Sequence, residues 1–404
     1  MNKVLHREVL TILLLLAGAV IAQRQPLPFV QPPGASQPSA PGQRNAAALP
    51  QLELKPAIAE VKKVEYASNG FIEVAHALVL VPKKEAALAR NLVLVQESVK
   101  RSFAARPSLV EVDVSVYLLE DFDGIGGPLP LLTASVPKFD LNNFEKLQPN
   151  TVLSFTRLWL HPPSENPKPK RNPDKTLEQN PTFYGSSRDL TAQQVQQLSS
   201  QASGRVLGGL LFHGNPRNPS AALTFDDAPH PLFEPLLLDT LKRAGVKATF
   251  FCIGRNAKAY PYFVKDMIEA GHEVGNHTYH HVRLPRLSDS DVTDELEQAN
   301  TVLSSITGKP VRYFRPPGGD YSKATLKIAA SLGLTTTFWT DDPGDFDNPG
   351  DAKIESRLVS KLRRGGIVLL HDNVLETIQV LPSFLKVAQN RGIKLIPVGV
   401  MAGN

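Results

Sequence analysis

The clearest pattern in the chain is an alternation of short apolar runs with amphipathic segments that begins after Ala221. The short runs predict strands, and the segments with apolar residues every three or four positions predict helices. The predicted strands are 221–225, 248–253, 273–275, 311–314, 335–339 and 367–370, and the predicted helices are 231–244, 260–270, 288–306, 322–331, 352–362 and 375–389. Alternation on this scale indicates a parallel α/β sheet or barrel, which we assign to residues 205–404.

A less regular pattern precedes this region. Residues 83–103 have helical apolar spacing, and the other apolar runs predict strands at 72–81, 110–118, 129–136 and 151–160. This combination predicts a smaller α+β domain over residues 51–204. Near its end we expect a loop at 164–181 and a polar helix at 191–202. Histidines and acids do not gather at ligand spacing in this domain, so the sequence indicates no role for it.

The first residues have the layout of a secretory signal peptide. Lys3 and Arg7 precede an apolar run, and small residues around Ala22 offer a cleavage site. The run is shorter than the roughly 20 residues of a membrane span, so we expect a cleaved signal over 1–22 and keep an uncleaved anchor as the alternative. The Pro-, Gln- and Ala-rich residues 23–50 predict a disordered linker. The mature protein is therefore expected in the periplasm, at the cell surface or outside the cell.

Composition restricts the possible fold classes and functions only a little. A chain of 404 residues accommodates two domains, and 42% hydrophobic with 21% charged residues is ordinary for a globular protein. The net charge of +5 is a mild bias, and we expect no nucleic-acid partner. The single cysteine, Cys252, cannot form an intramolecular disulfide, and its apolar surroundings predict a packing role. Beyond the signal segment we expect no transmembrane span; the sequence does not indicate an oligomeric state.

Acids, histidines and one arginine follow the predicted strands of the second domain. The motifs are Thr224-Phe225-Asp226-Asp227, His277-Thr278-Tyr279-His280-His281, Arg315-Pro316-Pro317-Gly318-Gly319 and Leu369-Leu370-His371-Asp372. In α/β folds of this kind, catalytic groups collect at the carboxyl ends of the strands. Together the motifs predict a metal-dependent hydrolytic site.

His277 and His281 are the first candidate metal ligands. A spacing of four residues puts two imidazoles on one face of a helical turn, and a carboxylate, Asp227, completes a three-ligand set that leaves a position for water. We interpret His272 and His280 as structural, with His280 as the substitute ligand if the turn is not helical. The alternative role for Asp226 and Asp227 is to cap the following helix.

The remaining motifs supply a base, an acid and their supports. Asp226 is the candidate base beside a metal-bound water, and His371 the candidate acid for the leaving group. Arg315 can hold Asp226 charged, and the Gly318 amide can serve as an oxyanion donor. Trp339 supplies a pocket aromatic, and one of the three acids that follow it can pair with His371. In isolation, each of these motifs would fit an ordinary turn or a satisfied strand end.

The ordered set Thr-Phe-Asp-Asp, His-Thr-x-x-His, Arg-x-Pro, Trp then Asp, and Leu-x-His resembles the polysaccharide deacetylases of carbohydrate esterase family four, or NodB-homology domains, over about residues 220–400. The resemblance implies a distorted (β/α) barrel and a divalent metal, often zinc, with cobalt or another ion as alternatives. It also implies hydrolysis of acetyl groups on a glycan. The implied roles are base for Asp226, metal ligands for Asp227, His277 and His281, orientation of the base for Arg315, tuning of the acid for Asp345, acid for His371, and contact with the acetyl methyl for Leu369.

Two positions depart from the family pattern. Ala228 stands where the family usually has Gly, and Gly318 where it often has an aromatic residue. The second departure removes a wall of the expected substrate groove. The sequence thus predicts a metal-dependent hydrolase that removes acetyl groups from an acetylated polysaccharide, most directly from N-acetylglucosamine units in peptidoglycan or a related polymer. The alternatives are an O-acetyl esterase of the xylan type and a catalytically silent glycan-binding protein of the cell surface.

Overall fold

The computed structural model describes residues 49–125, 127–162 and 209–403. They belong to one compact unit. Within it, strands form two separate sheets, one of five strands and one of eight. Each sheet has its own hydrophobic core.

The five-stranded sheet has the order β1-β2-β3-β4-β5 and is antiparallel except for the parallel pair β2 and β3. A helix, Leu88–Ala105, connects these two parallel strands, as the crossover between parallel strands requires. The helix buries Leu92, Val95 and Val99 against the sheet. The strands are β1 Val61–Ser68, β2 Glu73–Val81, β3 Leu109–Leu118, β4 Leu132–Pro137 and β5 Leu158–Leu160, and a short helix spans Leu141–Phe144.

The eight-stranded sheet is parallel throughout and has the order β12-β7-β8-β9-β10-β11-β6, with β13 paired to the start of β7. Its strands are β6 Leu210–Leu211, β7 Ser220–Ala228, β8 Thr249–Cys252, β9 Glu273–Asn276, β10 Tyr313–Phe314, β11 Thr335–Thr337, β12 Ile367–His371 and β13 Lys394–Ile396. Helices follow most of them: Glu234–Ala244, Gly254–Ala259, Pro261–Glu269, Asp289–Thr307, Lys323–Ser331, Asp351–Lys361, Leu375–Asn390 and Val398–Ala402.

The eight-stranded sheet curls until its ends approach each other. The chain beyond β11 reaches β12, where the Leu369 amide donates to the Asp341 carbonyl across 2.8 Å. The result is a distorted (β/α) barrel beside a smaller α+β sheet, which confirms the predicted fold class. Because all strands of the barrel run in one direction, their carboxyl ends meet at one rim.

The smaller sheet packs on the helices of the barrel. At the tip of the β1–β2 hairpin, the side-chain Nδ2 of Asn69 donates to the Leu236 carbonyl and to Thr240 Oγ1 across 3.1 and 3.0 Å. Further along, Tyr260 OH lies 3.0 Å from Ser115 Oγ and 3.1 Å from Tyr117 OH, and all three side chains are buried. These contacts fix the smaller sheet against the helices that flank β8.

The structure corrects several predicted elements. Strand β1 was not predicted, because Lys62, Lys63 and Glu65 interrupt its apolar alternation. The predicted helix 83–103 begins only at Leu88, after a separate 3₁₀ turn at Lys83–Glu85. The predicted strand 151–160 contains a 3₁₀ turn at Val152–Ser154 and is extended only over Leu158–Leu160. The signal, the linker up to residue 48, the loop 164–181, the helix 191–202 and the boundary near 205 lie outside the described residues. Among the described helices, none has the length and apolar character needed to cross a bilayer.

Candidate active site

Two neighbouring strands of the barrel bring the base and acid candidates to one rim. In the register of β7 and β12, Asp226 pairs directly with His371. The Asp372 amide continues the ladder by donating to the Asp226 carbonyl across 2.9 Å. Parallel pairing thus places two residues that are far apart in sequence at the same depth of the barrel.

Asp226 is held by a buried arginine. Arg315 Nη1 donates to Asp226 Oδ1 across 2.7 Å and to Thr224 Oγ1 across 2.8 Å. Its Nη2 donates to the Phe338 carbonyl across 3.0 Å, and the side chain is inaccessible to solvent. Burial lowers the pKa of Arg315, and the Asp226 carboxylate opposes that shift. A planar guanidinium with several fixed acceptors orients the carboxylate of Asp226.

Asp227 faces two histidines instead. His281 Nε2 lies 3.1 Å and His277 Nε2 3.5 Å from Asp227 Oδ1. One donor atom from each of the three residues lies within 4.8 Å of the other two, so the set can hold a metal ion. Burial alone would raise the pKa of Asp227, but the proximity of His281 and His277 outweighs burial and brings this pKa well below its usual range.

The chemistry of these donors fits a cation. The His277 Nδ1 nitrogen lies 2.7 Å from the Arg315 carbonyl, which can only accept, so Nδ1 carries the proton of the neutral ring and Nε2 carries a lone pair. Nε2 therefore directs this lone pair at an Asp227 oxygen, Oδ1, that is buried and without a hydrogen-bond donor among the described residues. Two electron-rich atoms in such proximity are stabilised by a cation between them.

The loop with the two histidines is not helical, which corrects the predicted helical turn. Thr278 and His281 have positive φ angles of 64° and 59°. This left-handed backbone brings His281, rather than His280, next to His277 and Asp227. His280 turns away and pairs with Glu295, with His280 Nδ1 2.5 Å from Glu295 Oε1. His280, the alternative ligand considered from the sequence, therefore lies outside the cluster of candidate ligands.

His371 forms a pair with Asp345. The Asp345 carboxylate accepts from His371 Nδ1 across 2.9 Å, from the His371 amide across 2.8 Å and from Thr377 Oγ1 across 2.7 Å. Burial would lower the pKa of His371, yet the Asp345 charge and hydrogen bond, helped by Asp226 and Asp227, raise it to about 10. The same contacts outweigh burial and lower the pKa of Asp345. Since Nδ1 is engaged by Asp345, Nε2 is the nitrogen available for proton transfer.

The remaining candidates lie around this centre. The Trp339 ring lies 5.6 Å from the Arg315 guanidinium, and both Trp339 and Leu369 belong to one buried cluster. Gly318 is exposed with φ of 63°, and the turn around it is closed by the amides of Gly319 and Asp320, which donate to Pro316 and Pro317. Ala228 has no positive φ; the left-handed residue is Asp227 with φ of 68°. Alanine is therefore unstrained at position 228.

Some supporting residues were not found from the sequence. Asn373 Nδ2 donates to Asp227 Oδ2 across 3.2 Å, directly behind the candidate ligand. Asp372 Oδ2 accepts from the His230 amide across 2.6 Å, and burial raises the pKa of Asp372 to about 8. Burial also raises the pKa of its neighbour Glu234 well above the usual range. In the sequence, Asp372 and Asn373 are distinguished only by their position directly after His371. Glu234 is distinguished only by its place in the first turn of the helix after β7.

Comparison with known proteins places the barrel among deacetylases. The family model described as polysaccharide deacetylase matches residues 213–337. The chain is 35% identical over 182 residues to a peptidoglycan-N-acetylglucosamine deacetylase of Bacillus cereus, covering 44% of this chain and 85% of that protein. It is 40% identical over 155 residues to a chitooligosaccharide deacetylase of Sinorhizobium fredii, covering 38% and 72%. A crystal structure of a peptidoglycan N-acetylglucosamine deacetylase superimposes with a TM-score of 0.48 at 28% identity, covering 48% and 94%.

Proposed function

Because the chain belongs to the polysaccharide deacetylase family, we propose that it hydrolyses the N-acetyl groups of N-acetylglucosamine units in peptidoglycan or a related amino-sugar polymer. Relatives named for peptidoglycan-N-acetylglucosamine and for chitooligosaccharides both act on amino sugars. This shared substrate chemistry supports amide cleavage over O-acetyl ester cleavage on xylan.

One observation carries the mechanism: the adjacent acids Asp226 and Asp227 have different partners. Asp226 is bound by Arg315, whereas Asp227 faces His277 and His281. A carboxylate oriented by a guanidinium but outside the ligand cluster is suited to accept a proton. We therefore assign Asp226 as the base that deprotonates the attacking water, and Arg315 as the group that orients its carboxylate.

Asp227, His277 and His281 would hold the divalent cation, with zinc as the first candidate and cobalt among the alternatives. When bound, such a cation lowers the pKa of water and polarises the acetyl carbonyl. Behind the ligands, the Arg315 carbonyl fixes the ring of His277 and Asn373 fixes the carboxylate of Asp227. These outer contacts hold the donor atoms of His277 and Asp227 in a fixed orientation.

His371 is the proposed acid. Asp345 holds it protonated through neutral pH, so Nε2 can give a proton to the amine as the bond to the acetyl carbon breaks. Leu369 and Trp339 supply apolar surface for the acetyl methyl, and the Gly318 amide is assigned as a donor to the carbonyl oxygen.

The substrate class also suggests where the protein acts. A peptidoglycan substrate lies outside the cytoplasm, so we propose that residues 1–22 direct export and that residues 205–404 are the catalytic domain, preceded by the domain 51–204. Sequencing the amino terminus of the protein recovered from the medium or cell envelope would test the first point: a mature chain that starts near Gln23 is expected. Recovery of an intact amino terminus from the cytoplasm would contradict it.

The decisive experiment is acetate release by the purified protein from a panel of N-acetylglucosamine oligomers, peptidoglycan and acetylated xylan, with and without chelator. We expect release from the amino-sugar substrates, loss with chelator and recovery when zinc or cobalt is returned. Preferential release from xylan would make the protein an O-acetyl esterase. If no substrate lost acetate under any metal condition, the silent glycan-binding alternative would replace the proposal.

A further inference from the structure

The loop between the two candidate histidine ligands adopts a costly backbone. Thr278 and His281 both have left-handed φ angles, a conformation that favours glycine and is strained for other residues. The geometry of the ligands depends on this loop, because it alone places His281 beside His277. Something outside the loop must therefore hold it.

Glu295 contacts the middle of the loop. It lies on the helix Asp289–Thr307, and its Oε2 accepts from the backbone amides of Tyr279 and His280 across 3.0 and 2.8 Å. Its Oε1 lies 2.5 Å from His280 Nδ1. The side chain is only 10% exposed. Consecutive amides that converge on a buried carboxylate make charge-assisted hydrogen bonds, which are stronger than those between neutral groups.

The other loop amides have acceptors of their own. The Thr278 amide donates to Asn276 Oδ1 across 2.7 Å, and the His281 amide donates to Thr278 Oγ1 across 3.0 Å. From the opposite side, the Gly254 and Arg255 amides donate to the carbonyls of Thr278 and Tyr279 across 2.9 and 3.1 Å. Glu295 thus supplies the acceptor for the two central amides.

We propose that Glu295 is a positioning residue of the metal centre. Its carboxylate holds the backbone at Tyr279 and His280, which fixes His281 at the distance from His277 that a shared cation requires. This inference rests on the proposed metal-dependent function. It also assigns His280 a role: its imidazole bonds the second carboxylate oxygen of Glu295 and keeps that oxygen from solvent. Neither residue contacts substrate in this scheme.

The test is a Co²⁺ titration of the purified, metal-free, full-length protein, followed by visible absorption. Glu295→Ala removes the acceptor, and Glu295→Gln keeps the size and one acceptor oxygen without the charge. Glu297→Ala, an exposed acid on the same helix, is the matched control. Loss of an outer support of this kind typically weakens metal binding by roughly 10-fold to 100-fold. We expect that loss in Glu295→Ala, with an altered Co²⁺ spectrum, a smaller loss in Glu295→Gln, and parental behaviour in Glu297→Ala.

The outcomes separate the two proposals. A parent protein that does not bind Co²⁺ would overturn the metal-dependent function and this inference with it. A parent that binds, alongside a folded Glu295→Ala variant with the same affinity and spectrum, would overturn only the role of Glu295. If circular dichroism shows that Glu295→Ala does not fold, Glu295→Gln decides by the same criterion, because its volume is unchanged.

Discussion

Arg315 donates to Asp226 across 2.7 Å, and both side chains are almost completely buried. The backbone carbonyl of the same arginine lies 2.7 Å from Nδ1 of His277. One residue therefore orients the proposed base with its side chain and a proposed ligand with its main chain. This arrangement predicts that a change of the side chain alone affects the base more than metal binding.

Arg315→Lys should lower kcat/KM by about 100-fold while metal content is retained. A lysine cannot reach Asp226, Thr224 and the Phe338 carbonyl together, so buried acceptors lose their donors at a cost of about 1–3 kcal/mol each. Steady-state kinetics and metal analysis test the prediction, and thermal unfolding should show a lower Tm. The control is Arg312→Lys, because Arg312 is exposed. Parental kcat/KM in Arg315→Lys would show that Asp226 needs no fixed orientation.

Asp226→Asn and His277→Ala should separate chemistry from metal binding. Asparagine at 226 keeps the shape but cannot accept the proton, so activity should fall by roughly 10²–10⁴-fold with metal content unchanged. Alanine at 277 removes one of three donors, so metal content itself should fall. Metal analysis after dialysis, together with acetate release, measures both effects. Two variants that both hydrolyse acetyl groups like the parent would refute the proposed mechanism.

Asp345→Asn should move the alkaline limit of activity to lower pH. Because Asp345 holds the pKa of His371 up at about 10, loss of its charge lets burial lower that pKa, and the acid is deprotonated earlier. The negative charge of Asp227 also raises the pKa of His371, and a cation bound by Asp227 would offset part of this effect. The alkaline limit of activity in the metal-loaded parent should therefore lie below pH 10. The pH profile of kcat/KM tests this. An unchanged alkaline limb in Asp345→Asn would exclude His371 as the acid.

The same pair links stability to pH. His371 has a folded pKa above its ordinary 6.5, so its contribution is complete below that pH and is lost as pH rises towards 10. Asp345 has a lowered folded pKa, so its contribution is present above its ordinary 3.8 and is lost as pH falls through the lowered value. Urea unfolding of the metal-free parent and of Asp345→Asn should therefore differ most between these limits. Equal pH dependence in both proteins would contradict the pairing.

The sequence was sufficient to predict the proximity of those candidate residues that lie at the ends of strands. Asp226 and His371 terminate apolar runs that pair in parallel, so a correct sheet brings them together without knowledge of any loop. Loop geometry could not be obtained in this way. The spacing of His277 and His281 indicated a helical turn, whereas the contacts of the loop with Glu295 and with the Gly254 amide stabilise a left-handed backbone there.

Residues that support the site through tertiary contacts were even harder to identify from the sequence. Glu295 is one of several acids on an amphipathic helix, and only the packing of that helix on the loop distinguishes it from exposed Glu297. The two-residue strand β6 is too short for a periodic pattern, and it is defined by its pairing with β11. The polar contacts between the smaller sheet and the barrel likewise join residues more than a hundred positions apart.

Those contacts predict a specific pattern of stabilities. In Tyr260→Phe, the buried Tyr117 hydroxyl loses its partner, so the free energy of unfolding should fall by about 1–3 kcal/mol. Tyr117→Phe should cost less, because Tyr260 OH keeps its contact with Ser115. In the double variant both hydroxyls are absent, so no buried hydroxyl is left without its partner. The double variant should therefore be more stable than the sum of the two single losses predicts.

Chemical denaturation of the four proteins in this double-mutant cycle measures the coupling. A favourable coupling of about 1 kcal/mol is expected for directly bonded buried groups. Tyr66, a partly exposed residue, provides a matched control, since Tyr66→Phe should change the free energy of unfolding little. Strict additivity of the two substitutions would mean that the two hydroxyls do not interact.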